Sequence, residues 1–329
     1  MTLPTGGETM TQQNVEITAE PANENISTNK RIRQIAWTII VVVIAFLLGL
    51  GGGYWKWGQD ETAAAKQQAE LARLYEQVNP KEGYALPVSY GDLGPQLIEA
   101  GVIDKDAFQK VMTESGEPIT SSQMGMLTKG SAEKIVITSE NAHFLLNFFW
   151  AVGLANKNKI LTEGPMVQYS NGQIEGFAST GGWTLATKPI AGLYASMDLI
   201  SLTAEQQARV EEVATAVYRP CCNNYTLFPD CNHGMAMLGL LELMASQNAS
   251  VDEMFNAAKY VNAYWFPQQT LETAIYLKTN QGTDFAKDDA RLVVGKELSS
   301  ASGAGMVHQS LQSSGQLQQT PSRGGGCAN

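Results

Sequence analysis

Arg219-Pro220-Cys221-Cys222-Asn223-Asn224-Tyr225-Thr226-Leu227-Phe228-Pro229-Asp230-Cys231-Asn232-His233-Gly234 runs directly into MAMLGLLELMASQ, which ends at Gln247. The second half decides the fold class. Gly234 to Gln247 is almost wholly apolar, contains no proline and is rich in Met, Leu and Ala, so it reads as a buried helix. Upstream, Thr203 with Gln206 forms a capping-box start for a helix running to about Tyr218, and Pro220 stops it. The chain is therefore helix, cysteine-bearing loop, helix. Asp230 or Asn232 is the expected N-cap of the second helix. Either puts Cys231 and His233 in its first turn, where the helix dipole and free N–H groups favour a thiolate.

The same grammar extends outward on both sides. Thr138 or Ser139 precedes NAHFLLNFFWAVGLA, in which Phe144, Leu145, Phe148, Phe149 and Val152 predict a broad buried stripe. Its apolar run is too short for a second membrane crossing. Lys134 to Thr138 alternates like a short strand. Further back, Leu93 to Glu99 reads as a helix closed by Gly101, and Asp104 caps another from Lys105 to Thr113. Between Ile160 and Ile190, Asn171-Gly172 is a hairpin signal flanked by β-prone residues. Ser250 or Val251 opens a long helix to Lys278 that Pro267 kinks or divides. Ala286 to Glu297 is one more amphipathic helix, and Ser299 to Met306 is small and polar. The expectation is a mainly α fold with a small β-hairpin region.

Ile35 to Leu50, IAWTIIVVVIAFLLGL, continues uncharged through three glycines to Tyr54 and Trp55. It is long enough for the ~30 Å hydrocarbon core of a bilayer. Trp37 and the Tyr54, Trp55, Trp57 group suit the two interfaces. A cleaved signal peptide fits less well, because a polar tail of about thirty residues precedes the run. Lys30, Arg31 and Arg33 flank its N-terminal side, whereas Lys56, Asp60 and Glu61 follow it. The positive-inside rule then places the N-terminus in the cytoplasm and everything after Trp57 outside.

These readings divide the chain into a disordered cytoplasmic tail (1–34), a transmembrane helix (35–55), a stalk helix with a small helical lobe (56–130), a main helical domain (131–310) and a flexible tail (311–329). The tail carries Cys327 on a glycine tether. Net charge is −10, with no basic cluster beyond the membrane flank. That excludes nucleic-acid binding, which needs many Lys and Arg against phosphate. The lipid bilayer is the expected partner of residues 35–55, with an envelope protein as a further candidate.

Three of the four cysteines fall within eleven residues, beside one of only three histidines. Thiolates and a neutral imidazole are ligands that zinc and copper(I) prefer, so Cys221, Cys222, Cys231 and His233 are the expected metal ligands. Adjacent cysteines rarely both reach one ion, so one vicinal Cys with Cys231 and His233 is an equal alternative. Met235 or Met237 nearby would suit copper(I), although both, like Met244, fit a core better. Asp230 is a candidate outer-shell acceptor for His233. A disulfide from Cys221 or Cys222 to Cys231 is the competing structural reading. Thiol–disulfide catalysis ranks last, since no Cys-x-x-Cys in a thioredoxin-like setting is present. Ser179-Thr180-Gly181-Gly182 lacks the lysine of a phosphate loop, and no Gly-x-Ser-x-Gly elbow occurs. His143 and His308 carry no assigned role.

Arg219-Pro220-Cys221-Cys222 followed by Asp230-Cys231-Asn232-His233-Gly234 resembles a group of uncharacterised bacterial membrane-anchored proteins with an RPCC…DCNHG segment. There is a fainter similarity, over about fifteen residues, to PCYCGC-type Cys/His-rich lipoproteins, whose Cys-x-Cys-Gly-Cys and lipobox are missing here. The first resemblance implies a bacterial envelope setting. Neither carries an activity across.

Overall fold

The computed structural model describes residues 25–317, with the side chains of 25–30, 32 and 49–64 outside the described set. The chain divides into two compact units, residues 1–68 and 69–329. The first contains most of a single long helix, α1 (Asn25–Val78). Its described side chains from Ile35 to Leu48 are exposed and almost all apolar. Among the described residues no helix is long and apolar enough to cross a membrane. The expected span 35–55 reaches into residues whose side chains lie outside that set. Because α1 begins at Asn25, the expected disordered tail is corrected for residues 25–34, and the stalk is the continuation of the same helix.

In the second unit, β1 (Tyr84–Gly91) is followed by α2 (Leu93–Glu99), α3 (Lys105–Glu114), α4 (Ser121–Lys129), β2 (Ser131–Ile137) and α5 (Ala142–Ala155). Asp104 caps α3 through its carboxylate, as its position predicts. α4 is started by a Thr120/Gln123 capping box. β1 and β2 pair antiparallel, Tyr84 opposite Ile137 and Ala85 opposite Val136. Leu86, Val88, Ile135 and Ile137 from both strands enter the same core as α5. The boundary expected at residue 130 therefore runs through one sheet and one core.

The expected hairpin is absent from residues 160–190. Short helices stand there instead: α6 (Lys159–Thr162), α7 (Pro165–Ser170) and α8 (Ala178–Gly181), with a 3-10 turn at Ile174–Gly176. Asn171 (φ 50°) and Gly172 (φ 83°) do adopt the left-handed backbone that a hairpin turn needs. They use it to end α7, with Asn171 as its C-cap.

Next come α9 (Ala204–Ala216), α10 (Asn232–Ser246), α11 (Val251–Trp265), α12 (Pro267–Gln281), α13 (Ala290–Val293), α14 (Lys296–Ser299) and α15 (Ala301–Ser313). The Thr203/Gln206 box forms as read, Ser250 caps α11 in a further box with Glu253, and Pro267 splits the long helix by starting α12. The helix expected over 286–297 is broken into pieces. The expected tail is helical to Ser313, held by buried Ala304, Val307 and Leu311. Residues 318–329, Cys327 among them, lie outside the described set.

α5 and α10 form the centre. Every residue of α5 but His143 is buried, and so is α10 from His233 to Ala245. Gly153 and Gly239 let the two backbones touch. A Cβ on Gly153 would lie 2.1 Å from the Met235 carbonyl oxygen, and one on Gly239 would lie 2.4 Å from that of Phe149. The cysteine loop enters at the N-terminal end of α10, so this contact sets the position of the site.

Candidate metal centre

α9 ends at Ala216 and the chain turns back on itself. The Thr226 amide and hydroxyl both donate to the Val217 carbonyl, and the Leu227 amide donates to Ala214. Inside this fold, Arg219 to Cys222 forms a turn closed by the Cys222 N–H to the Arg219 carbonyl, with Pro220 at its favoured second position. Cys221 stands at the corner of that turn. The far end of the loop is fixed by the Ser179 amide, which donates to the Asp230 carbonyl.

The N-cap of α10 is neither Asp230 nor Asn232 but Cys231. Its backbone is extended and its Sγ accepts from the Gly234 N–H at 3.4 Å. The reason is Arg219. That side chain is 2 % exposed and serves four acceptors: Cys231 Sγ at 3.0 Å from Nε, the Asn224 carbonyl at 2.9 Å, the Phe228 carbonyl at 3.2 Å and Asp230 Oδ1 at 2.6 Å. Asn224 Nδ2 takes the other Asp230 oxygen at 2.7 Å. With Asp230 engaged this way, the sulfur one residue on is left to cap the helix. Gly234 leaves room for the guanidinium, since a Cβ there would lie 2.5 Å from Arg219 Cζ.

The three sulfurs lie together. Cys221 Sγ is 3.5 Å from Cys231 Sγ and 4.0 Å from Cys222 Sγ, and Cys222 Sγ is 3.9 Å from Asp230 Oδ1. All three are half-buried free thiols. Hydrogen bonds from Cys221 and Cys222 hold the Cys231 thiol well below its usual range, with help from Arg219 and His233 and against the effect of burial. Cys222 is lowered by Cys221, but Cys231 and burial outweigh this and push it up to about 11. Cys221, bonded to both other sulfurs and buried, is raised further. Of the three thiols, Cys231 is the one whose ionisation its surroundings favour.

His233 is buried in the first turn of α10. Its ring stands edge-on to Trp265 at 5.7 Å and against Phe266 at 4.5 Å, so the joint between α11 and α12 walls the site. Ligand atoms of Cys221, Cys231 and His233 all lie within 4.8 Å of one another, as do those of Cys222, Asp230 and Cys231. Three of the four expected ligands, Cys221, Cys231 and His233, share one group, and the fourth, Cys222, falls in a second group with Asp230 and Cys231. The set fits a soft ion. Two sulfurs each about 2.3 Å from a tetrahedral zinc stand roughly 3.8 Å apart, close to the Cys221–Cys231 separation.

Other expectations resolve differently. Met235, Met237 and Met244 are core residues. His143 lies near Glu117 and Ser115, and His308 bonds Glu272 at 3.0 Å, both outside the cluster. Trp183 is buried and donates to the Val102 carbonyl, beside the short helix that Ser179 to Gly181 forms. The sequence does not place the Arg219 side chain, or the ring pair Trp265 and Phe266, at the site. A single arginine next to a proline in an acidic chain was the available signal. No family model, curated protein or solved structure matches the chain.

Proposed function

We propose that the chain is a membrane-anchored extracytoplasmic protein that binds zinc or copper through Cys221, Cys222, Cys231 and His233, for metal handling or sensing at the envelope. The observation that carries this is the convergence of two thiols and an imidazole within 4.8 Å at the start of α10. Charge supports it. Arg219 and Asp230 offset each other at 2.6 Å, so a metal cation is left to balance the thiolates of the half-buried cluster. The Cys221/Cys231/His233 group is the core of the site, with Cys222 the additional thiolate. The anchor is residues 35–55, on the strength of their uncharged run and the exposed apolar side chains of 35–48.

A second reading rests on the same 3.5 Å contact. Cys221 and Cys231 joined permanently would pin the loop of a non-catalytic helical module that docks to an envelope protein. Elemental analysis with thiol titration separates the two, using the full chain purified anaerobically in detergent. Metal binding gives about one zinc or copper per chain, reduced in both His233→Ala and Cys222→Ser. No metal and two thiols missing from the free count would leave the disulfide-pinned module.

A further inference from the structure

We propose that this metal centre is also a reversible dithiol–disulfide couple, in which oxidation joins Cys221 to Cys231 and ejects the ion. The inference rests on the metal-binding reading above and adds its regulation. Three geometric facts single out this pair. Cys221 and Cys231 are the nearest two sulfurs, 3.5 Å apart, and forming a bond of about 2.05 Å needs roughly 1.5 Å of closure. Cys231 is fixed by the helix it caps, with Arg219 Nε and the Gly234 amide donating to its sulfur, whereas Cys221 sits at the corner of a surface turn. Cys222 is tied elsewhere: its carbonyl accepts from the Ala301 amide, and the neighbouring Asn223 Oδ1 accepts from the Ser302 amide. Closure therefore moves the turn toward α10 and leaves Cys222 with the start of α15.

A hydroperoxide is the class of oxidant that suits the site. The Cys231 sulfur attacks the distal oxygen, the O–O bond breaks, and the departing alkoxide or hydroxide takes a proton. Cys221 then attacks the Cys231 sulfenic acid, forms the S–S bond and expels hydroxide, which takes a second proton to become water. Two thiolates have lost two electrons and the peroxide has gained them. Neither sulfur keeps the anionic charge that held the ion, and His233 with Cys222 alone does not retain it. Reduction by an external dithiol reverses the step.

The test uses the full-length Cys327→Ser chain in detergent, loaded with zinc and treated with one equivalent of hydrogen peroxide. Released zinc is read with a chromogenic chelator, and the chain by intact mass and peptide mapping. The expected result is the loss of two hydrogen masses, a 221–231 link, zinc release in step with the link, and recovery of both after dithiol and zinc. Cys222→Ala should still form the link, whereas Cys221→Ala should gain oxygen on Cys231 without it. A chain that keeps its zinc, or gains oxygen with no disulfide, overturns the couple while the metal reading stands. A 221–231 link in a chain that never took up zinc overturns the ejection together with the metal reading.

Discussion

Arg219 Nε lies 3.0 Å from Cys231 Sγ while the same guanidinium holds Asp230 at 2.6 Å, so one buried cation fixes both the helix-capping sulfur and the carboxylate beside it. Arg219→Met removes that fork and takes the arginine donor from Asp230 Oδ1 and two backbone carbonyls, leaving Asp230 its bond from Asn224. Asp230 keeps some solvent contact, with 21 % of its side chain exposed. The loss should accordingly fall below that of a fully buried pair, roughly 2–3 kcal/mol. Arg219→Lys keeps the charge but cannot serve four acceptors in a plane, and should recover only part. Denaturant unfolding of the three chains decides it. A methionine variant as stable as the parent would show that the loop is held by other contacts.

Gly153 and Gly239 are the contact on which α5 and α10 close. Alanine at either meets a backbone oxygen, which cannot rotate away, so each substitution should cost about 1–3 kcal/mol through forced separation of the helices. The double variant should cost less than the sum, because one separation relieves both clashes. Gly305→Ala on α15 is the control of opposite sign. Its Cβ meets nothing within 4 Å, and in an exposed helix interior alanine should stabilise by about 0.5–1 kcal/mol. Thermal melts of the four chains check the set.

Much of the helical frame was readable because its signals are local. Asp104, Thr203 with Gln206, Ser250 and Pro267 act within four residues of their own backbone, and each does what its chemistry requires. The cysteine cluster was readable for a different reason, as soft ligands so close in sequence can scarcely avoid meeting. What could not be read was non-local. Pro87 looks like a breaker, yet it sits in a register shift of a two-stranded sheet, where a missing N–H costs little. Asn171-Gly172 has the right backbone but the wrong neighbours for a hairpin. The stretch 301–313 is weak in helix propensity and is made helical by burial. Arg219 was legible only as an arginine, because its four acceptors come from residues the loop brings back to it.

Glu242 is a carboxylic acid in the middle of α10 with no solvent contact. Burial pushes its pKa up to about 8, against hydrogen bonds from Asn156 and Asn158 that lower it. Below about pH 4.5 it is protonated whether the chain is folded or not, and contributes no pH dependence. Between there and about 8 the unfolded chain ionises while the folded one holds its proton, so this group makes stability fall as pH rises. Above 8 both states are charged and the loss, on the order of a few kcal/mol, is complete. Glu242→Gln preserves shape and removes the proton. It should flatten the decline in unfolding free energy between pH 5 and 8 and leave the variant more stable than the parent at pH 9. An unchanged slope would mean that the carboxyl is already ionised in the folded chain.

The anchoring reading makes a prediction that involves none of the cysteines. Val41 and Ile44 lie on α1 within the uncharged run, with exposed side chains. An arginine near the centre of a spanning helix costs about 2.5–3.5 kcal/mol on the insertion scale. Val41→Arg with Ile44→Arg should therefore move the chain from the carbonate-resistant membrane fraction to the supernatant, whereas Val41→Leu with Ile44→Leu should not. With the N-terminus inside, protease added to intact spheroplasts should digest residues beyond 69 and spare an N-terminal epitope. Digestion of the epitope with protection of the rest would reverse the orientation and place the Cys/His cluster in the cytoplasm. A chain that stays in the carbonate-resistant fraction with both arginines in place would mean that residues 35–55 are not what holds it there.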